Sequence, residues 1–266
     1  MLTIKSYTFW LIVVSLFCFL LERIIPWRKQ KILRPELAQD IFWLIFNGYY
    51  LAVLFSPLFN WASSSFSAFI VSLGFPSPSS LNFVNDFPFG LQVVILLVFQ
   101  DFIEWGVHNL LHRVPLLWEF HKLHHSIHTM DWIGNFRFHW LEVFVYKSIK
   151  YLPLALMGFD GNAVLVVAVF ATLIGHLNHS NIPWSYGPLK YIFNSPKMHI
   201  WHHDEEMHLP AGQNFGIVLS IWDWIFRTAY MPEGQPKRIG FKGDEEFPKN
   251  VVFRFLYPAS KFFKKK

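Results

Sequence analysis

Ten of the 13 histidines of this 266-residue chain fall into four short boxes with one grammar. His108 and His112 form H-x-x-x-H. His121, His124 and His125 form H-x-x-H-H. His176 and His179 form H-x-x-H, and His199, His202 and His203 repeat H-x-x-H-H. Residues three and four apart share a helix face, so each box aims two or three imidazoles at one place. Neutral imidazole is a good ligand for iron, zinc and copper. Ten such groups exceed the roughly four to six that one ion accepts, and two ions at about five ligands each is the natural division. The chain must therefore fold so that four boxes, separated by apolar sequence, meet at one dinuclear centre.

The intervening sequence belongs to a membrane protein. Hydrophobic residues make up 53% of the chain and charged residues 15%, with mean hydropathy +0.30; soluble domains carry about 25% charged residues. The single cysteine, Cys18, lies inside an apolar run, which excludes a disulfide framework or a cysteine zinc site. The net charge of +5 does not point to nucleic acid, because the basic residues flank apolar segments, where anionic lipid headgroups attract them.

Residues 7–25 are long enough to cross a bilayer core, which takes about 20 residues. They lack a small-residue cleavage site and are read as a retained span. A second span is expected over 41–58 and a third from residue 91 into the first box. Residues 61–88, broken by Ser, Gly and Pro, are expected to form an interfacial or re-entrant helix and a loop. Residues 142–177 read as a helical hairpin around Gly158 to Gly161, kinked at Pro153, with Lys147 and Lys150 snorkelling to the interface. Arg23, Arg28, Lys29, Lys31 and Arg34 follow the first span, and no Lys or Arg recurs until Arg113. The positive-inside rule puts the 23–40 loop in the cytoplasm, and all four boxes then reach that face.

The boxes and their flanks carry a family resemblance. His108-x-x-x-His112, the run from Pro115 to Ser126 that contains Trp118, Phe120, His121, His124 and His125, Arg137-Phe138-His139, His176 to Asn181, Met198-His199-x-x-His202-His203, Asn214-Phe215-Gly216 and Trp222-Asp223 resemble the fatty acid hydroxylase and sterol desaturase superfamily over about residues 95–230. Asn109 stands where many relatives carry Arg, and Trp140 where a proline is common. The resemblance implies an integral membrane protein whose boxes hold two metals and which uses dioxygen to hydroxylate or desaturate lipids. The residues point the same way. The donors outnumber two closed tetrahedral zinc sites, no cysteine is near, and iron of higher coordination keeps positions for dioxygen.

The expected fold is all-α: four or five transmembrane helices under a cytoplasmic helical cap. Residues 1–90 supply N-terminal membrane helices and a loop, 91–235 the histidine-box domain, and 236–266 a basic cytoplasmic tail whose last residues anchor at the surface. Beyond the ten metal ligands no catalytic residue is assigned. Asp101 and Glu104 share a face with His108 and are expected to orient metal-bound imidazoles, with Asp204 and Asn214 as weaker candidates. His139 is a site-lining candidate, and His128 and His208 fall outside the spacing. Two iron ions, replaceable by zinc on purification, dioxygen and a membrane lipid are expected. No G-x-G-x-x-G fingerprint is present, so electrons are expected from a separate electron-transfer protein or reductase. The expected location is a bacterial inner membrane, or the endoplasmic reticulum in a eukaryote. A zinc-dependent membrane hydrolase would want H-E-x-x-H, which is absent. A metal transporter or sensor would line a path with ligands, whereas these gather at one face.

Overall fold

A computed structural model describes residues 3–77, 84–155, 157–210 and 212–259; the end anchor expected at 262–266 lies outside them. The described residues are helical, with isolated bridges at Phe193–Leu219 and Asp204–Ile239 as their only β pairing. In order come α1 (Tyr7–Ile24), α2 (Leu37–Ile45), α3 (Leu51–Ser72), α4 (Phe89–Arg113), α5 (Pro115–His125), α6 (Trp140–Ala155), α7 (Gly161–His179), α8 (Pro196–His202), α9 (Ile221–Ile225) and α10 (Val251–Phe255).

Among the described residues, four helices are long and apolar enough to cross a membrane: α1, the α2–α3 rod, α4 and α7. The rod corrects the expected second span. It runs unbroken for 36 residues, Leu37–Ser72, joined by a π-helical turn at Phe46–Tyr50. Residues 61–72 thus continue the span instead of forming a separate element. Pro57 cannot donate to Val53 O, but the Ser56 hydroxyl donates to that carbonyl at 3.2 Å. Such side-chain repair lets proline stay inside membrane helices.

The hairpin is α6 and α7, turned at Gly158 (φ 75°) and capped by Asp160, whose carboxylate accepts from Asn162 N at 2.7 Å. α6 is 16 residues, about 24 Å, too short for a hydrocarbon core of about 30 Å, and it continues past Pro153. Lys150 does not snorkel outward; its ammonium is buried against Glu104 at 2.6 Å. α7 is the central helix. It packs on α1 and α4, and 44% of its apolar window is buried, against 17% for the rod, whose Leu54, Leu58, Trp61 and Phe69 face outward as lipid-facing residues do.

The histidine-bearing ends of these helices are tied by buried polar groups. Glu22, at the end of α1, accepts from Asn181 N at 2.7 Å and Trp132 N at 2.9 Å. Arg34 bridges Asp40 and Asp131, while Arg137, fully buried, donates to Asp40 at 2.5 Å and Glu36 at 2.9 Å. Arg34 is therefore a buried structural cation, not only a charge that orients the span. The segment expected as a tail packs back onto the fold: Arg254 reaches Glu36 at 2.7 Å, and Phe255 stacks on Trp43.

Candidate metal centre

Nine of the ten box histidines converge, in two groups. His108, His112, His121, His125 and His202 form one; His124, His179, His199 and His203 form the other. Within each group the ligand atoms lie within 4.8 Å of one another. Helical geometry decides the sorting. In each H-x-x-H-H box the outer histidines, four apart, go to one group and the middle one goes to the other. His121 and His125 join the first group while His124 joins the second; His199 and His203 join the second while His202 joins the first. His108 and His112, also four apart, stay together on α4. The groups abut: His125 stacks on His203 with centroids 4.6 Å apart, and His199 on His202 at 5.1 Å.

His176 is the exception to the ten expected ligands. Three residues before His179, it turns towards α1. Its Nδ1 accepts from Asn135 Nδ2 at 2.9 Å and its Nε2 faces Ser15 Oγ at 3.1 Å, which occupies both ring nitrogens. Gly175 makes this possible, because a Cβ there would lie 2.7 Å from Asn135 Oδ1.

The donor set fits metal ions. His108 Nδ1 donates to Phe215 O at 2.8 Å, His202 Nδ1 to Gln213 O at 2.8 Å, and His179 Nδ1 to Gly175 O at 2.9 Å. His121 Nδ1 donates to Glu142 Oε1 at 2.8 Å. These bonds place the proton on Nδ1 and leave Nε2 as a lone pair directed inward. His108 Nε2, His121 Nε2, His124 Nδ1 and both nitrogens of His203 are buried without a hydrogen-bond partner. Bare buried nitrogen atoms in such number are costly unless a cation takes them. Burial, reinforced by neighbouring imidazoles, pushes His121, His124, His125, His199, His202 and His203 well below the ordinary histidine value. They are therefore neutral, the form that ligates metal.

The expected outer carboxylates do other work. Asp101 accepts from Val218 N at 2.8 Å, Leu219 N at 3.0 Å and Trp222 Nε1 at 3.0 Å, so it anchors residues 218–222 at the start of α9 and is not hydrogen-bonded to an imidazole. Glu104 pairs with Lys150. Asp204 accepts from His208 at 2.7 Å and from Glu206 N. Asn214, in the left-handed region at φ 56°, clamps Met198 O and Tyr230. His139 does not line the centre; its Nε2 faces Phe255 O at 2.9 Å and its Nδ1 accepts from Leu141 N. His128 pairs with Asp244 at 2.9 Å, outside both groups, as its spacing suggests.

Sequence reasoning missed Glu142, the one carboxylate bonded to a grouped imidazole among the described residues. Its signal was present: a lone acid in the apolar run that follows His139. It named Asp223 only within the resemblance and gave it no role; Asp223 accepts from Phe215 N and Gly216 N and so fixes the segment whose carbonyl receives His108.

Both groups open onto one cavity of about 870 Å³, which is lined by His108, His121, His124, His179 and His199 at one end. Leu51, Phe55, Leu96, Leu165 and Ala168 supply apolar wall. The size falls within the roughly 300–1,000 Å³ of small-molecule sites. Phe138 stacks on His124 with centroids 4.2 Å apart.

An ornithine lipid hydroxylase of Rhizobium tropici is 34% identical over 148 residues, covering 56% of this chain and 44% of that protein. The human alkylglycerol monooxygenase is 31% identical over 162 residues, 61% of this chain and 32% of that protein. A very-long-chain aldehyde decarbonylase of Oryza sativa subsp. japonica is 28% identical over 175 residues, 60% of this chain and 26% of that protein. The chain thus spans less than half the length of these relatives. No solved structure matches it. The fatty acid hydroxylase family model matches residues 93–228, just over half of the chain and all four histidine boxes, and the chain belongs to that family.

Proposed function

We propose that this chain is a membrane lipid oxygenase that uses two iron ions, dioxygen and two electrons to hydroxylate or desaturate an unactivated C–H position. The observation that carries the reading is that two histidine groups, five and four strong, open onto the same largely apolar cavity. Bound iron would supply activation of dioxygen. With two electrons and two protons, one O₂ converts C–H to C–OH and one water; desaturation removes two hydrogens and yields two waters. The electrons come from a separate donor protein.

The chain's own residues hold and shield. The nine histidines supply neutral nitrogens, Glu142 fixes the His121 ring, and Phe138 covers His124. The apolar wall excludes water and aligns an alkyl chain. The names of the relatives, an ornithine lipid hydroxylase and an alkylglycerol monooxygenase, support a lipid substrate. The test is oxygen uptake by iron-loaded protein in lipid nanodiscs with a chemical reductant, followed by mass spectrometry of the lipids. A gain of 16 mass units or a loss of two, about the masses of an oxygen atom and of two hydrogens, supports the proposal. Full activity with zinc and without oxygen would replace it with a hydrolase.

We further propose that the centre faces the cytoplasm. The basic loop after α1 lies against the metal-bearing segments, with Trp27 N donating to Asn181 O at 2.9 Å and Arg28 to Asn181 Oδ1. Cysteines at Lys31 and Leu189 should react with an impermeant thiol reagent from the cytoplasmic side, and one at Asp86 from the opposite side. Native Cys18 is fully buried and does not interfere. Labelling of Asp86→Cys and Leu189→Cys from one side would refute the arrangement.

A further inference from the structure

Besides the histidine nitrogens, the described wall of the cavity holds four buried oxygen atoms without a hydrogen-bond partner: Asn47 Oδ1, Glu104 Oε2, Glu142 Oε2 and Asn178 Oδ1. None of these residues is more than 6% exposed. Their orientations are fixed by what their other atoms do. Asn47 Nδ2 donates to Phe136 O at 2.9 Å and Phe138 O at 2.8 Å, and Asn178 Nδ2 to Ile217 O at 2.7 Å. Flipping either amide would set oxygen against oxygen. Glu104 gives Oε1 to Lys150 at 2.6 Å, and Glu142 gives Oε1 to His121 at 2.8 Å.

All four belong to residues that share a helix with a grouped histidine or are tied to one by contact. Glu104 lies one turn before His108, Glu142 is bonded to His121, and Asn178 adjoins His179. Asn47 holds the carbonyl of Phe138, the ring stacked on His124. Two ammonium groups also line this wall. Lys150 donates to Glu104 Oε1, and neither ammonium is hydrogen-bonded to any of the four oxygens, so these acceptors still call for a donor from the ligand.

We infer that the metal end of this cavity binds the polar end of a lipid that donates hydrogen bonds, a hydroxyl or a protonated amine, and discriminates against ends that only accept, such as ethers and esters. The inference rests on the lipid-oxygenase reading and narrows its substrate class. The alkyl chain then runs along Leu51, Phe55 and Leu96, and the carbon presented to the metals lies within a few bonds of the polar end.

The test is binding, without oxygen or reductant, to the metal-loaded protein in nanodiscs by native mass spectrometry. The probes are 1-hexadecanol, hexadecylamine and methyl hexadecyl ether, corrected for partition into protein-free nanodiscs. The alcohol, the amine or both should bind roughly tenfold more tightly than the ether, about the effect of one or two matched hydrogen bonds. Whichever of the two binds more tightly identifies hydroxyl or ammonium as the natural donor.

Glu104→Gln inverts one wall group. Its carbonyl oxygen can keep Lys150, which turns the amide NH₂ towards the cavity. The amine, which cannot accept, should then lose about tenfold, the ether should gain, and the alcohol, which both donates and accepts, should change little. Equal binding of all three probes to the wild-type protein would overturn the inference and leave the acceptors to water. So would an equal loss of all three in Glu104→Gln. A binding preference without lipid oxidation would sink the oxygenase reading alone.

Discussion

His202→Ala should abolish lipid oxidation and lower the bound metal from two ions per chain towards one. His202 belongs to the five-histidine group, its Nδ1 is held by Gln213 O, and its ring lies 4.5 Å from that of His108. Removing it takes a ligand away and opens space for water beside the remaining nitrogens. His124→Ala should act as severely on the four-histidine group, which has fewer ligands to spare. His128→Ala and His208→Ala serve as controls. The first loses a half-exposed pair with Asp244; the second loses a pair with Asp204 and a stack on Tyr230. Both should keep more than half of the activity and all of the metal. Equal loss across the four variants, measured as turnover and metal content, would mean that the grouping carries no chemistry.

Glu142→Leu should cost about 10- to 100-fold in metal affinity or turnover, the usual effect of losing the partner that orients a ligating imidazole. The carboxylate is buried, and its Oε1 fixes the proton of His121 on Nδ1. Without it, the ring is free to rotate or to place the proton on Nε2, which removes the lone pair from the metal side. Glu142→Gln should recover much of the loss, because an amide oxygen still accepts from Nδ1. A cavity-filling role alone would show no such rescue. Wild-type turnover in Glu142→Leu at matched metal content would contradict the assignment.

These two residues mark how far the sequence could be read. The box histidines are legible because helical periodicity is local: four residues apart advance the chain by about 400°, only about 40° past a full turn, so His121 and His125 must share a face. The same arithmetic separates three-apart pairs by about 60°, enough to send His176 to Ser15 and Asn135 while His179 enters the centre. The partners that orient the rings were not legible, because they are not local. Glu142 meets His121 across 21 residues, and Asp101 meets Val218 across 117. Chain proximity to His108 made Asp101 and Glu104 the natural choices; packing of α4 against α6 and residues 218–222 gave both carboxylates other partners. The spans were read well where an apolar run ends in charge, as at Arg23. The reading stopped the second span early at Leu58 because Ser, Gly and Pro interrupt the apolar pattern over 61–88, yet the helix continues to Ser72.

We propose that nine histidines hold two ions, divided five and four, with His176 outside. Metal content per chain, measured on protein loaded anaerobically with Fe(II), tests it most directly. Zinc in protein purified without iron counts equally, since nitrogen ligands bind zinc more tightly than Fe(II). The wild-type protein should hold two ions per chain, His176→Asn two, and His202→Ala and His124→Ala fewer. One ion per chain in the wild type, or loss of an ion on replacing His176, would contradict it.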